Sequence, residues 1–305
     1  MNRRYGLMLI VLALIWGSSF MFIKVAVRDL SPATLILGRL GLAALTLAIV
    51  VPALIGARAT LRELRAHWPA LAVVGLLNTA VPFWLLSWGE TRIDSGLASI
   101  IQASVPIFNA LLAFAFFHDQ RVTRQMLGGV AIGFVGVALL VGAQPHAKIL
   151  GALAVVGMAT CYAIGGLLTR RFLSDTRPHV VALGTSAIAA VAVSPFGVIQ
   201  APGHVPGWRT LASVAVLGVL GTAAAYLLFF TIIAGAGAAY ASLVTYLVPP
   251  VALAYGALFL GESIGLAALA GLALIFGGVT LGTRAPRRRG ASSAETRFAS
   301  ASPEA

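Results

Sequence analysis

The sequence predicts an all-α polytopic membrane protein, with ten transmembrane helices arranged as two inverted five-helix repeats. Three observations predict it. Of 305 residues, 59% are hydrophobic and 10% charged, and with a mean hydropathy of +0.96 there are too few polar side chains to cover a soluble surface. Ten apolar runs follow one another with short connections, each near the ~20 residues that cross the hydrocarbon core of a bilayer. A stretch of the first half also returns 143 positions later: Ser99, Pro106, Asp119 and Gly128 become Ser242, Pro249, Glu262 and Gly271.

The runs lie at about 6–27, 33–55, 69–89, 95–117, 125–143, 149–169, 179–198, 210–232, 238–260 and 265–283. The first follows Arg3 and Arg4 as a signal peptide would. It continues unbroken to about Ile23 with no small-residue cleavage site, so it stays as a membrane helix. The second carries Arg39, the basic residue placed clearly within a span. The third carries Asn78, Trp84 and, near its end, Trp88. The sixth contains the single cysteine, Cys161, a packed small hydrophobe that excludes a disulfide framework. From Ala285 onward, Pro, Arg, Ser and Ala dominate, which describes a disordered basic tail. The expected organisation is a first repeat over 1–148, a second over 149–283 and a cytoplasmic tail over 284–305.

The basic residues set the orientation. With both termini inside, 15 of the 21 Lys and Arg fall in cytoplasmic segments and 5 on the opposite side, Arg39 being the remaining one. The arginines are scattered over short loops, so the net charge of +12 reads as a topology signal and does not point to nucleic acid. Membrane lipid is the expected macroscopic partner.

The duplication extends beyond its strongest stretch. Thr79 and Ala80 meet Thr222 and Ala223 at the offset of 143. Earlier the offset is 146, pairing Pro32, Leu37 and Gly38 with Pro178, Leu183 and Gly184, and Trp16 with Tyr162. An odd number of crossings separates the copies, so they face opposite ways. Inverted repeats bring two half-structures together around a midplane cavity, the architecture of a secondary transporter.

Polar groups within spans avoid lipid, because hydrocarbon offers them no hydrogen bonds. In the fourth run Ser95, Ser99, Gln102, Pro106 and Asn109 form one stripe at helical spacing. The ninth matches it with Ser242, Thr245 and Pro249, and with Tyr246 alongside. These stripes are expected to meet near the centre as cavity wall, the alternative being helix–helix hydrogen bonding. Asn78, Trp84, Tyr162 and Tyr226 complete the expected pocket, and Arg39 is a candidate for a cargo carboxylate or for pairing with Glu90 or Asp94. Pro106 and Pro249 are expected to kink or loosen their helices for gating. Glu90 is the best placed group for proton coupling.

Other chemistries lack their residues. The nine acids and five histidines sit at helix ends or in loops, so neither a metal cluster nor a catalytic triad assembles, and no enzyme or cofactor is expected. No glycine-rich phosphate loop followed by Lys and Ser/Thr occurs, which argues against direct use of ATP. A proton-coupled multidrug pump is the alternative within transport, and an intramembrane enzyme the alternative outside it. The missing mid-helix carboxylate counts against the first, and the scattered nucleophiles and bases against the second.

The segments WGSSFMFIK, SPATLILGRL, SGLASIIQASVPIFNALLAFAFFHDQ and ASLVTYLVPPVALAYGALFLGE resemble the EamA-type branch of the drug/metabolite transporter superfamily, over about residues 6–283. Arg39 matches that family's arginine early in the second helix, and Asp119 and Glu262 match the acids ending its fourth- and ninth-helix motifs. Asp119 stands where Glu is commoner, and Tyr162 where the family usually has Trp. The resemblance implies two five-helix bundles, a plasma-membrane location and export of amino acids or other small metabolites. Monomer and homodimer are both compatible with it.

Overall fold

A computed structural model describes residues 3–116, 124–142 and 146–283; Asp119 and the expected tail from 284 lie outside the described residues. Among the described residues the secondary structure is all helical. Among the described residues seven helices are long and apolar enough to cross a membrane, and the apolar helices Leu127–Gly142, Val244–Leu260 and Leu266–Leu281 are shorter. In chain order the elements are α1 (Arg3–Ala26), α2 (Pro32–Ile55), α3 (Ala57–Ala66), α4 (Trp68–Glu90), α5 (Ser95–Gln102), α6 (Val105–Phe116) and α7 (Arg124–Gly142). They continue with α8 (His146–Phe172), α9 (Pro178–Ile199), α10 (Trp208–Ala236), α11 (Ala238–Ala241), α12 (Val244–Leu260) and α13 (Leu266–Thr283). The protein is thus a multi-pass membrane protein whose outer faces stay apolar: Leu45, Ile49 and Val191 are 65%, 74% and 72% exposed on spanning helices.

The helix neighbours repeat. α1 packs on α12 and α10, as α8 packs on α5–α6 and α4; α2 meets the middle of α10, as α9 meets the middle of α4. The pairs α2–α9 and α7–α13 complete the set. Exchanging each run for the one five later returns the same arrangement.

Local chemistry explains the ends and interruptions. α2 starts where the Ser31 hydroxyl accepts the Thr34 N–H at 3.2 Å and Pro32 occupies the first turn. α4 and α10 each contain a π-helical stretch, Leu76–Ala80 and Val216–Ala224, around the repeat-related Thr79 and Thr222. Such wide turns recur at functional sites. Lipid gives helices little reason to associate except close packing. The second π stretch packs closely: a Cβ on Gly218 would lie 2.8 Å from the Arg39 carbonyl oxygen.

The fourth run is interrupted just ahead of its proline. It breaks into α5 and α6 at Ala103–Ser104, where the Ser104 hydroxyl donates to the Ile101 carbonyl at 2.6 Å. Pro106 falls in the first turn of α6 and has no N–H to offer the Gln102 carbonyl four residues back, so the loosened turn is the one before it. The ninth run breaks at Ser242–Leu243, and Pro249 and Pro250 lie inside α12. The short helix α3 was not anticipated; its Glu63 meets Arg177 before α9 at 3.4 Å.

Candidate functional site: a central cavity

Helices α1, α2, α4, α5, α8 and α10 enclose a cavity of about 210 Å³. Its wall is Trp16, Ser19, Phe20, Ile23, Arg39, Asn78, Phe83, Leu86, Gln102, Tyr162, Gly221 and Tyr226. Asn78 and Gly221 are repeat mates 143 residues apart, one from each π stretch. A side chamber of about 80 Å³ opens beside it between α5 and α12, lined by Ser99, Thr245, Val248 and Pro249 and sharing Trp16 and Gln102 with the first. Five expected residues, Arg39, Asn78, Gln102, Tyr162 and Tyr226, therefore meet in one space, and Ser99, Thr245 and Pro249 meet in the next.

Arg39 does not pair with Glu90 or Asp94. Its Nε donates to the Thr222 hydroxyl at 3.0 Å, and its guanidinium lies 4.0 Å from the centre of the Phe83 ring. Thr222 in turn donates to the Leu217 carbonyl at 2.9 Å, five residues back, a carbonyl the wide turn presents to it. The guanidinium is the fixed charge of a cavity in which, among the described residues, no carboxylate takes part.

Glu90, at the end of α4, is fully buried, and neither carboxylate oxygen has a hydrogen-bond partner among the described residues. The charged groups acting on it are Lys24, Glu262 and Arg39. Lys24 turns its ammonium to the backbone, donating to the Glu90 and Ile93 carbonyls at 2.7 Å each. Glu262 closes the same end. Its carboxylate accepts the Ser95 N–H and hydroxyl at 2.8 Å each and the Gly96 N–H at 3.1 Å, an anion on a helix N-terminus. Gly261, at φ 70°, ends α12 in the left-handed conformation. Gly256 leaves room for the carboxylate, since a Cβ there would stand 2.5 Å from Glu262 Oε2.

Other expected residues go elsewhere. Trp84 is 38% exposed and lines a separate apolar cleft between α4 and α9. Asn109 is exposed beyond the break in its helix, and Ser242 is exposed at the turn before α12. Tyr246 packs edge-on against Phe276, with centroids 5.1 Å apart. Trp16, Ser19, Phe20, Ile23, Phe83, Leu86 and Gly221 complete the wall. Of these, Gly221 was findable as the repeat mate of Asn78, and Ser19 from its place in the polar WGSSF segment.

The EamA-like transporter family matches residues 4–142 and again 149–284. The chain belongs to this family. Among relatives of the EamA-like protein is the "Probable terminal-alkyne amino-acid exporter" of Streptantibioticus cattleyicolor, 32% identical over 93% of this chain and 95% of its own. The "Probable amino-acid metabolite efflux pump" of Salmonella typhimurium is 26% identical over 92% of this chain and 94% of its own. An uncharacterized transporter of Archaeoglobus fulgidus is 28% identical over 90% and 98%. A protein of known crystal structure, 18% identical, superimposes over 93% of this chain and 97% of its own with a TM-score of 0.65, which shows a shared fold. Membership of this family and the names of the relatives indicate a transporter of small molecules.

Proposed function

We propose that this EamA-like protein exports amino acids or similar small metabolites across the plasma membrane by alternating access. In this reading all ten apolar runs cross the membrane, as two oppositely oriented five-helix repeats over 1–148 and 149–283, with both termini in the cytoplasm. The observation that carries it is the central cavity, whose wall is drawn from both matched segments and meets the repeat-related Asn78 and Gly221. Two relatives named for amino-acid or amino-acid metabolite export support that cargo.

Cargo enters between the halves from the cytoplasm and contacts Gln102, Asn78, Tyr162 and Tyr226, with Thr245 and Ser99 in the adjoining chamber. The outer side is shut by the Glu262–Ser95 contacts and by Lys24 on the end of α4, and these must separate for release. Glu90, buried between that seal and Arg39, is the carboxylate assigned to proton coupling. A pump for lipophilic cations fits less well, because the described wall of the cavity offers a cation no carboxylate.

Uptake of an amino-acid panel into proteoliposomes, with and without a pH gradient, tests cargo and coupling together. Gln102→Leu and Thr245→Val are each expected to weaken transport severalfold; unchanged transport in both removes these residues from the cargo path.

A further inference from the structure

The cavity is symmetric in backbone but not in charge. At the offset of 146 that pairs Gly38 with Gly184, the counterpart of Arg39 is Thr185, whose hydroxyl is spent on the Val181 carbonyl at 2.7 Å. The guanidinium therefore stands to one side of the pseudo-twofold axis. Its Nε is fixed on Thr222 and its plane lies over Phe83, while the two terminal nitrogens have no hydrogen-bond partner among the described residues and belong to the cavity wall. Arg39 is only 5% exposed, so this is a desolvated fork with its geometry set and its donors unused. A carboxylate is the group that fits such a fork, accepting two parallel N–H bonds.

The rest of the wall decides what else the cargo carries. Trp16, Phe20, Ile23, Phe83 and Leu86 are apolar, and the uncharged polar groups are Ser19, Asn78, Gln102, Tyr162 and Tyr226. The Ser19 hydroxyl is already committed to the Ile15 carbonyl at 3.0 Å. An α-ammonium desolvated here meets amide and phenol oxygens and ring faces, but among the described residues of the wall no opposite charge. A buried charge without a counter-charge is unfavourable, whereas an acylated or absent amine brings no such charge.

We infer that the cavity takes its cargo by a carboxylate on the terminal nitrogens of Arg39, with Thr222 as the positioning residue, and that it does not require an α-ammonium. N-acylated amino acids and aromatic or branched monocarboxylates of similar size are then cargo alongside free amino acids. This inference rests on the cavity being the cargo site, and the test separates the two.

Purified protein in proteoliposomes is assayed for counterflow of labelled phenylalanine against N-acetylphenylalanine, 3-phenylpropanoate and phenylalaninamide. The two acids are expected to compete within about threefold of phenylalanine, and the amide, which keeps the ammonium and lacks the carboxylate, at least about tenfold more weakly. An amide that competes equally, or an N-acetyl acid that fails, overturns the inference while leaving the cavity as cargo site. Absence of counterflow with every compound, from protein that elutes as one folded species, overturns the reading of the cavity itself. Thr222→Val is expected to raise KM for the acids about tenfold with kcat held, and Thr222→Ser to restore it. A Thr222→Val protein with unchanged KM, or a loss that Ser does not rescue, refutes the positioning role.

Discussion

Replacing Glu262 by Gln isolates the charge in the contact that closes α12 onto α5. In the native seal one carboxylate oxygen accepts the Ser95 N–H, and the other accepts the Ser95 hydroxyl and the Gly96 N–H. A glutamine has one acceptor oxygen. If it faces the Ser95 N–H, Gly96 loses its partner, although the serine hydroxyl can turn and accept; if it faces Gly96, the Ser95 N–H is orphaned. Either way one backbone donor is abandoned and the remaining bonds become neutral. A hydrogen bond to a charged group contributes about 1.5–3 kcal/mol. A loss of ~2 kcal/mol moves the balance between sealed and open forms about 30-fold. The assay uses Ser19→Cys, a wall position, in a Cys161→Ala background, labelled in intact cells by a maleimide that does not cross membranes. Labelling follows the population of the open form, so Glu262→Gln is expected to label about 30-fold faster. An unchanged or slower rate refutes the idea that this contact holds the outer side shut.

Two further outcomes are expected. Glu90→Gln keeps the shape of a buried, unpartnered side chain and removes its ability to exchange a proton. Counterflow should persist while accumulation driven by a pH gradient falls to the level without one; retained drive shows that another group couples protons. Gly218→Ala places a methyl group against the Arg39 carbonyl and the Leu42 side chain, an overpacking that costs about 1–3 kcal/mol. Its melting temperature in detergent should drop, and an unchanged value would contradict the close approach of α2 and α10.

Hydropathy made the spans legible, and fixed offsets exposed the duplication, because both follow from backbone and lipid physics alone. The partner of Arg39 was harder. Acids were expected, yet the hydroxyl of Thr222, 183 residues away, holds it, and Thr222 carried a signal only as the mate of Thr79. Periodicity identified a polar stripe in the fourth run but not its interruption. Ser99 and Gln102 precede the break at Ala103–Ser104 and reach the chambers, whereas Asn109 follows it and faces outward. The same limit applies to Tyr246, since a helical face does not say which neighbour covers it. Trp84 was misplaced for a related reason: the π stretch shifts the cavity face of α4 to Asn78, Phe83 and Leu86, the first two being five residues apart. Helix α3 escaped because a span search ignores short polar helices, although Arg58, Arg62 and Arg65 recur at helical spacing.

The wide turn of α4 at Leu76–Ala80 takes about one residue more than an ordinary α turn to cover the same angle. Deleting one codon within 76–80 would therefore return the turn to ordinary winding and leave the helix beyond it in phase. Phe83 and Leu86 would keep their places in the chamber wall, while Asn78 and its neighbours within the turn would change register. The chamber lining contributed by this turn is thus adjustable by one in-frame deletion, with the helices packed beyond it undisturbed.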